Sequence, residues 1–332
     1  MIESMWARAL SFQALIAIAA IVGAPSSALA VEGTTAAGPI GGTDIRSALL
    51  PPPGLYGAAI GVAGPAWGIN DGQGNPVPAF EAAHFSKVMG GGALLYVPDV
   101  QIAGGSIGLL GVVPFGQVCG RVFASQPWDC AQGLGDPYIE LSWSRFFGKA
   151  RPSRDPSAFP ILEGVAVSFG LGAILPIGQY DVRLATTQAL SVGNNTFDIA
   201  PSFAFTFTTP PLIAEGTEVS AKAYLNNYAT NPETRYLAGR LLNVDFAVSE
   251  HVDRFQVGIT GFYAKQLADD TTNGRRVEPD GRRAELLMLG AVLNYDLPEI
   301  GAAVKVKAMQ SVVVKNTVNN YVGVISLMKK LY

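Results

Sequence analysis

Charge is scarce in this chain. Only 15% of its 332 residues are Asp, Glu, Lys or Arg, and the formal net charge is −3, where an ordinary soluble domain carries about 25% charged residues. So small a net charge argues against nucleic acid as a partner. His and Cys occur twice each. There is no C-x-x-C pair, no phosphate-binding glycine loop and no dinucleotide glycine fingerprint, so no cofactor is expected. Long apolar runs are missing too. The run Ala14–Val22 is too short to span a membrane, since a spanning helix needs roughly 20 apolar residues. Charges, Gly or Pro interrupt every later run. A membrane location would therefore require a β-barrel, the other structure that satisfies its own backbone in lipid.

What is present is glycine, 38 residues of it, and a mean hydropathy of +0.28. A chain so apolar without a membrane helix must bury a very large core or face lipid. The stretch from Phe197 to Thr208 shows how. Phe197, Ile199, Pro201, Phe203, Phe205 and Phe207 alternate with Asp198, Ala200, Ser202, Ala204, Thr206 and Thr208. Successive strand side chains point to opposite faces, so this is a strand with one greasy and one small, polar face. The same alternation recurs in 136–147, 217–228, 236–249 and 300–312.

Residues 1–30 read as a secretory signal peptide: Arg8, the apolar run, Pro25, then the cleavage site Ala28-Leu29-Ala30. Residues 31–53 have no periodicity and read as a flexible lead-in that could reach back and plug a lumen. Residues 54–332 read as one all-β unit, a transmembrane antiparallel β-barrel of 12 strands, within a range of 10 to 14. The strands fall at 54–63, 79–98, 105–114, 136–147, 163–176, 197–208, 217–228, 236–249, 254–267, 283–296, 300–312 and 319–332. The second carries Gly90-Gly91-Gly92 and is taken as one strand bent at its glycines. With the C-terminus periplasmic, the connectors outside are mostly the longer ones, as in bacterial barrels. The exception is the long periplasmic connector 148–162. The chain stops on Tyr332 within a strand, an aromatic end of the kind that barrels present to their assembly machinery, although Ser326 and Lys330 share the face of Tyr332. Export puts Cys119 and Cys130 in an oxidising compartment, where a short loop disulfide is expected.

At Gly133–Trp143, G-L-G-D-P-Y-I-E-L-S-W, the sequence resembles the meta-pathway phenol-degradation family of outer-membrane proteins. Four further stretches fit in order. They are Pro52–Tyr56; Leu175–Asp181 with Gly193-Asn194-Asn195 and Ala200-Pro201; Asn227, Pro232, Thr234, Tyr236 and Gly239; and Gly261-Phe262-Tyr263, Gln266, Asp269-Asp270 and Gly274. Together they cover about residues 50–332. The chain departs from the family in lacking a terminal Phe or Trp and in having Gly290-Ala291 where Gly-Pro is commoner. The resemblance implies a bacterial outer-membrane barrel akin to the long-chain fatty-acid channels, with passive uptake of small hydrophobic or aromatic compounds and no enzyme activity.

On that reading Glu140, Asp198, Lys222, Tyr224, Asn226, Asn243, Asp245, Gln256, Lys305 and Lys307 line the channel. The partners expected are outer-membrane lipid and lipopolysaccharide, the barrel assembly machinery, and a small hydrophobic or aromatic solute. Two alternatives stay open: a structural barrel without transport, and an outer-membrane lipid hydrolase using His84 and Ser86, a pair two residues apart on one strand face. Asp269-Asp270 with Glu278 and Asp280 lack the spacing of a Ca²⁺ loop and read as a solvated external loop. Arg275, Arg276, Arg282 and Arg283 beside them suit lipopolysaccharide phosphates or ordinary loop charge equally. His251 is placed in an exposed turn.

Overall fold

A computed structural model describes residues 36–37 and 43–332; the expected signal peptide lies outside the described residues. Twelve long strands run through the sheet in chain order: β1 (Gly54–Ile69), β2 (His84–Val97), β3 (Gly105–Arg121), β4 (Tyr138–Arg151), β5 (Ile161–Ile174), β6 (Asp198–Thr208), β7 (Thr217–Tyr228), β8 (Leu241–Val252), β9 (Phe255–Gln266), β10 (Glu285–Leu297), β11 (Ala302–Lys315) and β12 (Val318–Lys330). Each pairs antiparallel with its chain neighbours. β12 also pairs with β1, Tyr56 opposite Lys330 and Val62 opposite Val324, which closes an outer-membrane-type barrel. β1 begins and β12 ends at the same end, the periplasmic end of such barrels.

The alternation in β6 decides its two faces. Phe203, Phe205 and Phe207 are exposed on the outside, and Ala204, Thr206 and Thr208 are buried within. Phe169 of β5 joins this outer surface to β4, its ring centroid 5.2 Å from that of Phe203 and 6.2 Å from that of Trp143. Ring pairs mark both ends, Trp67 with Tyr321 externally and Phe255 with Tyr295 at the periplasmic end. An apolar band between aromatic girdles is what lipid requires.

β2 is unbroken, and its glycines pair with both neighbours. Gly90 has no room for a side chain, because a Cβ would meet the Phe115 ring at 2.8 Å. β3 continues past the expected end at Pro114. There its neighbour changes from β4 to a short external strand, Asp129–Leu134, and the Pro114 carbonyl accepts the Gly135 N–H at 2.8 Å. Cys119 and Cys130 face each other across this extension and form a disulfide.

The stretch expected as one strand over 236–249 divides. Tyr236–Leu237 belongs to a small external sheet with Thr271–Thr272 and Arg275–Arg276, and β8 starts at Leu241. Gly239 separates them, pressed so close to the next loop that a Cβ would lie 2.0 Å from the Ala268 carbonyl oxygen. Over 177–196, where no element was expected, a short helix α1 (Val182–Gln188) starts at Asp181, whose carboxylate accepts the N–H groups of Arg183 and Leu184.

The faces of β12 also need correcting. Its outer side carries Tyr321, Ile325 and Leu327, with Leu331 following in phase, while Ser326, Met328 and Lys330 pair with inward residues of β1. The residue in phase with lipid is thus Leu331 rather than Tyr332, and Ser326 and Lys330 occupy ordinary lumen-side positions.

The long periplasmic connector between β4 and β5 ties its neighbours together. Ser153 donates to Glu215 at 3.0 Å, and Asp155 accepts from Arg254 Nε at 2.9 Å. Arg254 occupies the tight β8–β9 turn and also bridges to Glu299. Hydrogen bonds from Ser157, then Arg254, hold the Asp155 carboxyl down at about 2.

Candidate functional site

The inward residues of β4 to β11 form a polar wall, and residues 36–37 and 43–50 of the lead-in lie against it. Twelve strands leave more space than eight, whose side chains fill the interior, and here the chain's own N-terminal segment takes part of that space. Its contacts descend the barrel. The Ala37 N–H donates to Asn226 Oδ1 at 2.8 Å, and the Ala37 carbonyl accepts from Asn243 Nδ2 at 3.4 Å. The Thr43 hydroxyl donates to Asp245 at 2.6 Å and lies 3.4 Å from the Tyr224 hydroxyl. Asp44 is fully buried. It accepts from Lys305 Nζ at 2.7 Å, from Thr260 Oγ1 at 2.7 Å and from Lys307 Nζ at 3.4 Å.

Lower down, the Arg46 N–H donates to Glu218 Oε1 at 2.7 Å, and its guanidinium bonds both Asp296 oxygens at 3.0 and 3.3 Å. Ser47 bonds Ser220 through its N–H at 2.9 Å and its hydroxyl at 2.6 Å. The Ala48 N–H donates to Thr206 Oγ1 at 3.1 Å, and the Ala48 carbonyl accepts the Ser144 hydroxyl. Apolar contacts share the burial, Ile45 with Ala247 and Val292, and Ala48 with Ala166 and Ala204.

All ten residues proposed as channel-lining project inward. Seven of them contact the segment directly or hold its partners: Tyr224, Asn226, Asn243, Asp245, Lys305 and Lys307 as above, and Lys222 through the Tyr224 ring, 5.0 Å from its ammonium. Lys222 also donates to Glu140 at 2.6 Å, and Glu140 accepts the Tyr138 hydroxyl at 2.6 Å. Asp198 accepts the Asn227 N–H at 2.7 Å, and Gln256 donates to Ser249 at 2.9 Å. Several wall residues were not on that list. Glu218 and Asp296 hold Arg46. His251 is buried in β8 with Nε2 3.3 Å from Glu218, not in an exposed turn. Glu218 alternates cleanly with Val219 along β7, which is the signal that could have found it.

The opposite wall is different. The inward residues along the middle of β1 and β2, Ala58, Ile60, Val62, Met89, Gly91, Ala93 and Leu95, are small or apolar and only half-buried; Tyr56 flanks them at the periplasmic end and Lys87 toward the external end. Their counterparts on β7 and β8, from Glu218 to Asn226 and Leu241 to His251, are all buried under the segment. The part of the lumen that the described residues leave unfilled therefore runs along a largely apolar surface with Lys87 toward its external end.

Several of the residues that carried the family resemblance lie in the external loops and serve structure. Asp136 accepts the Gly178 N–H at 2.9 Å and the Asn194 N–H at 2.6 Å, and burial pushes its carboxyl up. A Cβ on Gly178 would come within 2.5 Å of the Gly135 carbonyl carbon, so these loops stack through glycine. Asp270 is buried, not solvated, and accepts from the Tyr236 hydroxyl, Gly239 N–H at 2.7 Å and Gln266 Nε2 at 2.6 Å. Asp269 pairs with Arg276 and Arg283, at 2.9 and 2.6 Å. His84 and Ser86 stand exposed on the outward face of β2 at the rim, opposite Trp67 and Pro65.

The fold is similar to that of an outer membrane channel from Pseudomonas putida F1, with a TM-score of 0.68 and 14% identity over 85% of this chain and 96% of that one. Looser likenesses include the TodX monoaromatic hydrocarbon channel (TM-score 0.40, 10% identity, 87% of this chain and 93% of that one) and LpxR from Salmonella typhimurium (0.38, 9%, 83% and 100%). No curated protein sequence matches the chain. Residues 68–323 match the family described as "Putative MetA-pathway of phenol degradation", and the chain belongs to that family.

Proposed function

We propose that this protein is an outer-membrane channel for passive uptake of small hydrophobic or aromatic compounds, and not an enzyme. The observation that carries this reading is the two-sided lumen. The described part of the N-terminal segment covers the polar wall, so the space left for a solute is bounded mainly by Ala58, Ile60, Val62, Met89, Gly91 and Ala93 of β1 and β2, with Lys87 toward the external end. Burying a ring against such a surface is favourable at about 25 cal/mol per Å² of apolar area. Below Lys87, a sugar or an ion would lose hydration against these side chains without hydrogen bonds in return. The family description, which names phenol degradation, points the same way.

The test is uptake of a labelled monoaromatic compound by cells lacking the gene, complemented with the wild type or with Ala93→Asp. The wild type should restore uptake. Ala93→Asp, a charge on the apolar wall, should insert normally yet restore little. Equal uptake with and without the protein would leave a structural barrel. Lipid release by the purified protein, lost in Ser86→Ala, would instead favour the hydrolase.

A further inference from the structure

The donors around Asp44 form a carboxylate site that the chain fills with its own side chain. Lys305 and Lys307 of β11 and Thr260 of β9 all belong to the barrel wall, whereas the carboxylate they bind belongs to the N-terminal segment. Asp245 stands close enough to Lys307 to act on it electrostatically. With Asp44 withdrawn, the two ammonium groups lose a carboxylate partner, in an interior where Lys307 is almost fully buried. Losing a negative charge in such surroundings favours its replacement by another anion. A carboxylate fits the fixed donors as Asp44 does.

The surroundings narrow the ligand further. Across the sheet Lys305 pairs with Ser326, and Ser326 pairs with Ile60 of the apolar wall. Lys307 pairs with Val324, and Val324 with Val62. The cradle thus lies at the seam between the polar wall and the half-open apolar one. A flat apolar body could rest on Ile60 and Val62 while an attached carboxylate reached the lysines.

We propose that Lys305, Lys307 and Thr260 form a recognition site for the carboxylate of a small aromatic acid, which Asp44 occupies when no solute is bound. This rests on the channel reading above and gives it a substrate class, aromatic carboxylates rather than neutral hydrocarbons alone. Asp44 competes as a tethered ligand, at an effective concentration on the order of millimolar.

The experiment is binding of benzoate, benzamide and phenol to the purified barrel in detergent, by calorimetry and by shift in melting temperature. It compares the wild type, Asp44→Ala and Asp44→Ala with Lys305→Met. Benzoate should bind Asp44→Ala at least tenfold more tightly than it binds the wild type, and at least tenfold more tightly than benzamide binds the same variant. Lys305→Met should remove that preference. Should Asp44→Ala not fold, Asp44→Asn keeps the shape and removes the charge, and the same ratios apply. Benzoate and benzamide binding alike to the emptied cradle, or a preference that survives Lys305→Met, would overturn the proposal. The channel reading is judged separately, because loss of neutral monoaromatic uptake in cells would sink that reading whatever benzoate does in detergent.

Discussion

Neighbouring residues of β6 provide a paired test of the lumen, because one faces lipid and the next faces the seated segment. Thr206 is 2% exposed. Its Oγ1 accepts the Ala48 N–H at 3.1 Å and shares a hydrogen with Ser220 Oγ at 2.8 Å, while Ser220 holds Ser47 by two further bonds. Arginine at 206 needs the volume of Ala48, which is itself 1% exposed. Thr206→Arg should therefore lift Ser47 and Ala48 off the wall. Three bonds to the segment at about 1 kcal/mol net each give about 3 kcal/mol, or about two powers of ten in its seated-to-released ratio. The barrel keeps its strand pairing, because the new charge enters the lumen. Phe205→Arg acts on the other face, where a charge in hydrocarbon costs about 2–4 kcal/mol near the midplane and less toward the interfaces. Folding is read from the mobility difference between unboiled and boiled samples on a gel, and opening from single-channel conductance in a planar bilayer. Phe205→Arg should lower folded yield and leave conductance per channel unchanged. Thr206→Arg should fold well and conduct more. Normal folding of Thr206→Arg with wild-type conductance would mean that the segment does not seat on β6. Equal damage from both would mean that the two faces are misassigned.

Deleting residues 36–50 should raise conductance at least as much as Thr206→Arg, and adding Thr206→Arg to the deletion should raise it no further; additive effects would refute a shared cause. Replacing Cys119 and Cys130 by Ser should leave the barrel folded but make 122–137 more protease-sensitive, since a bridge spanning 11 residues contributes about 3 kcal/mol in the chain-entropy model. Asp155 has a folded pKa of about 2 against an ordinary 3.8, so its contribution is present above about pH 4 and is lost as pH falls towards 2. Hydrogen exchange in 152–160 should rise across that window, and Asp155→Asn should abolish the pH dependence. Cell fractionation should place the mature chain, starting at Val31, in the outer membrane, and recovery from the soluble periplasm would contradict the barrel reading.

The strand count and the sidedness of β6 to β9 were legible because a strand between lipid and a polar lumen must alternate, and Phe203-Ala204-Phe205-Thr206 does so without a break. The strand ends were less so. Pro114 and Gly239 look alike as breakers in sequence, yet the chain runs straight through one and divides at the other. What decides is the neighbour. Pro114 sits where β3 exchanges one partner for another, while Gly239 is pressed against the Ala268 carbonyl. No local pattern reports either fact. His251 was misplaced for a similar reason, since its burial depends on Glu218, 33 residues away.

The lead-in left the faintest trace, because many of its bonds to the wall run through its backbone. Ala37, Arg46, Ser47 and Ala48 offer N–H groups, which any sequence could supply. Among the described residues its side-chain signal comes from Thr43, Asp44, Arg46 and Ser47, four polar residues in a glycine- and alanine-rich stretch. The wall's own signal was clearer than its reading. β1, G-L-Y-G-A-A-I-G-V-A, barely alternates. Taken alone that looks like a weak strand, but a strand whose inner and outer sides are both apolar has no reason to alternate. Failed alternation in β1 and β2, beside clean alternation in β6 to β8, is how a sequence records a lumen with one greasy wall and one polar one. The polar wall is where the described part of the lead-in lies, and the largely greasy wall is the surface those residues leave uncovered.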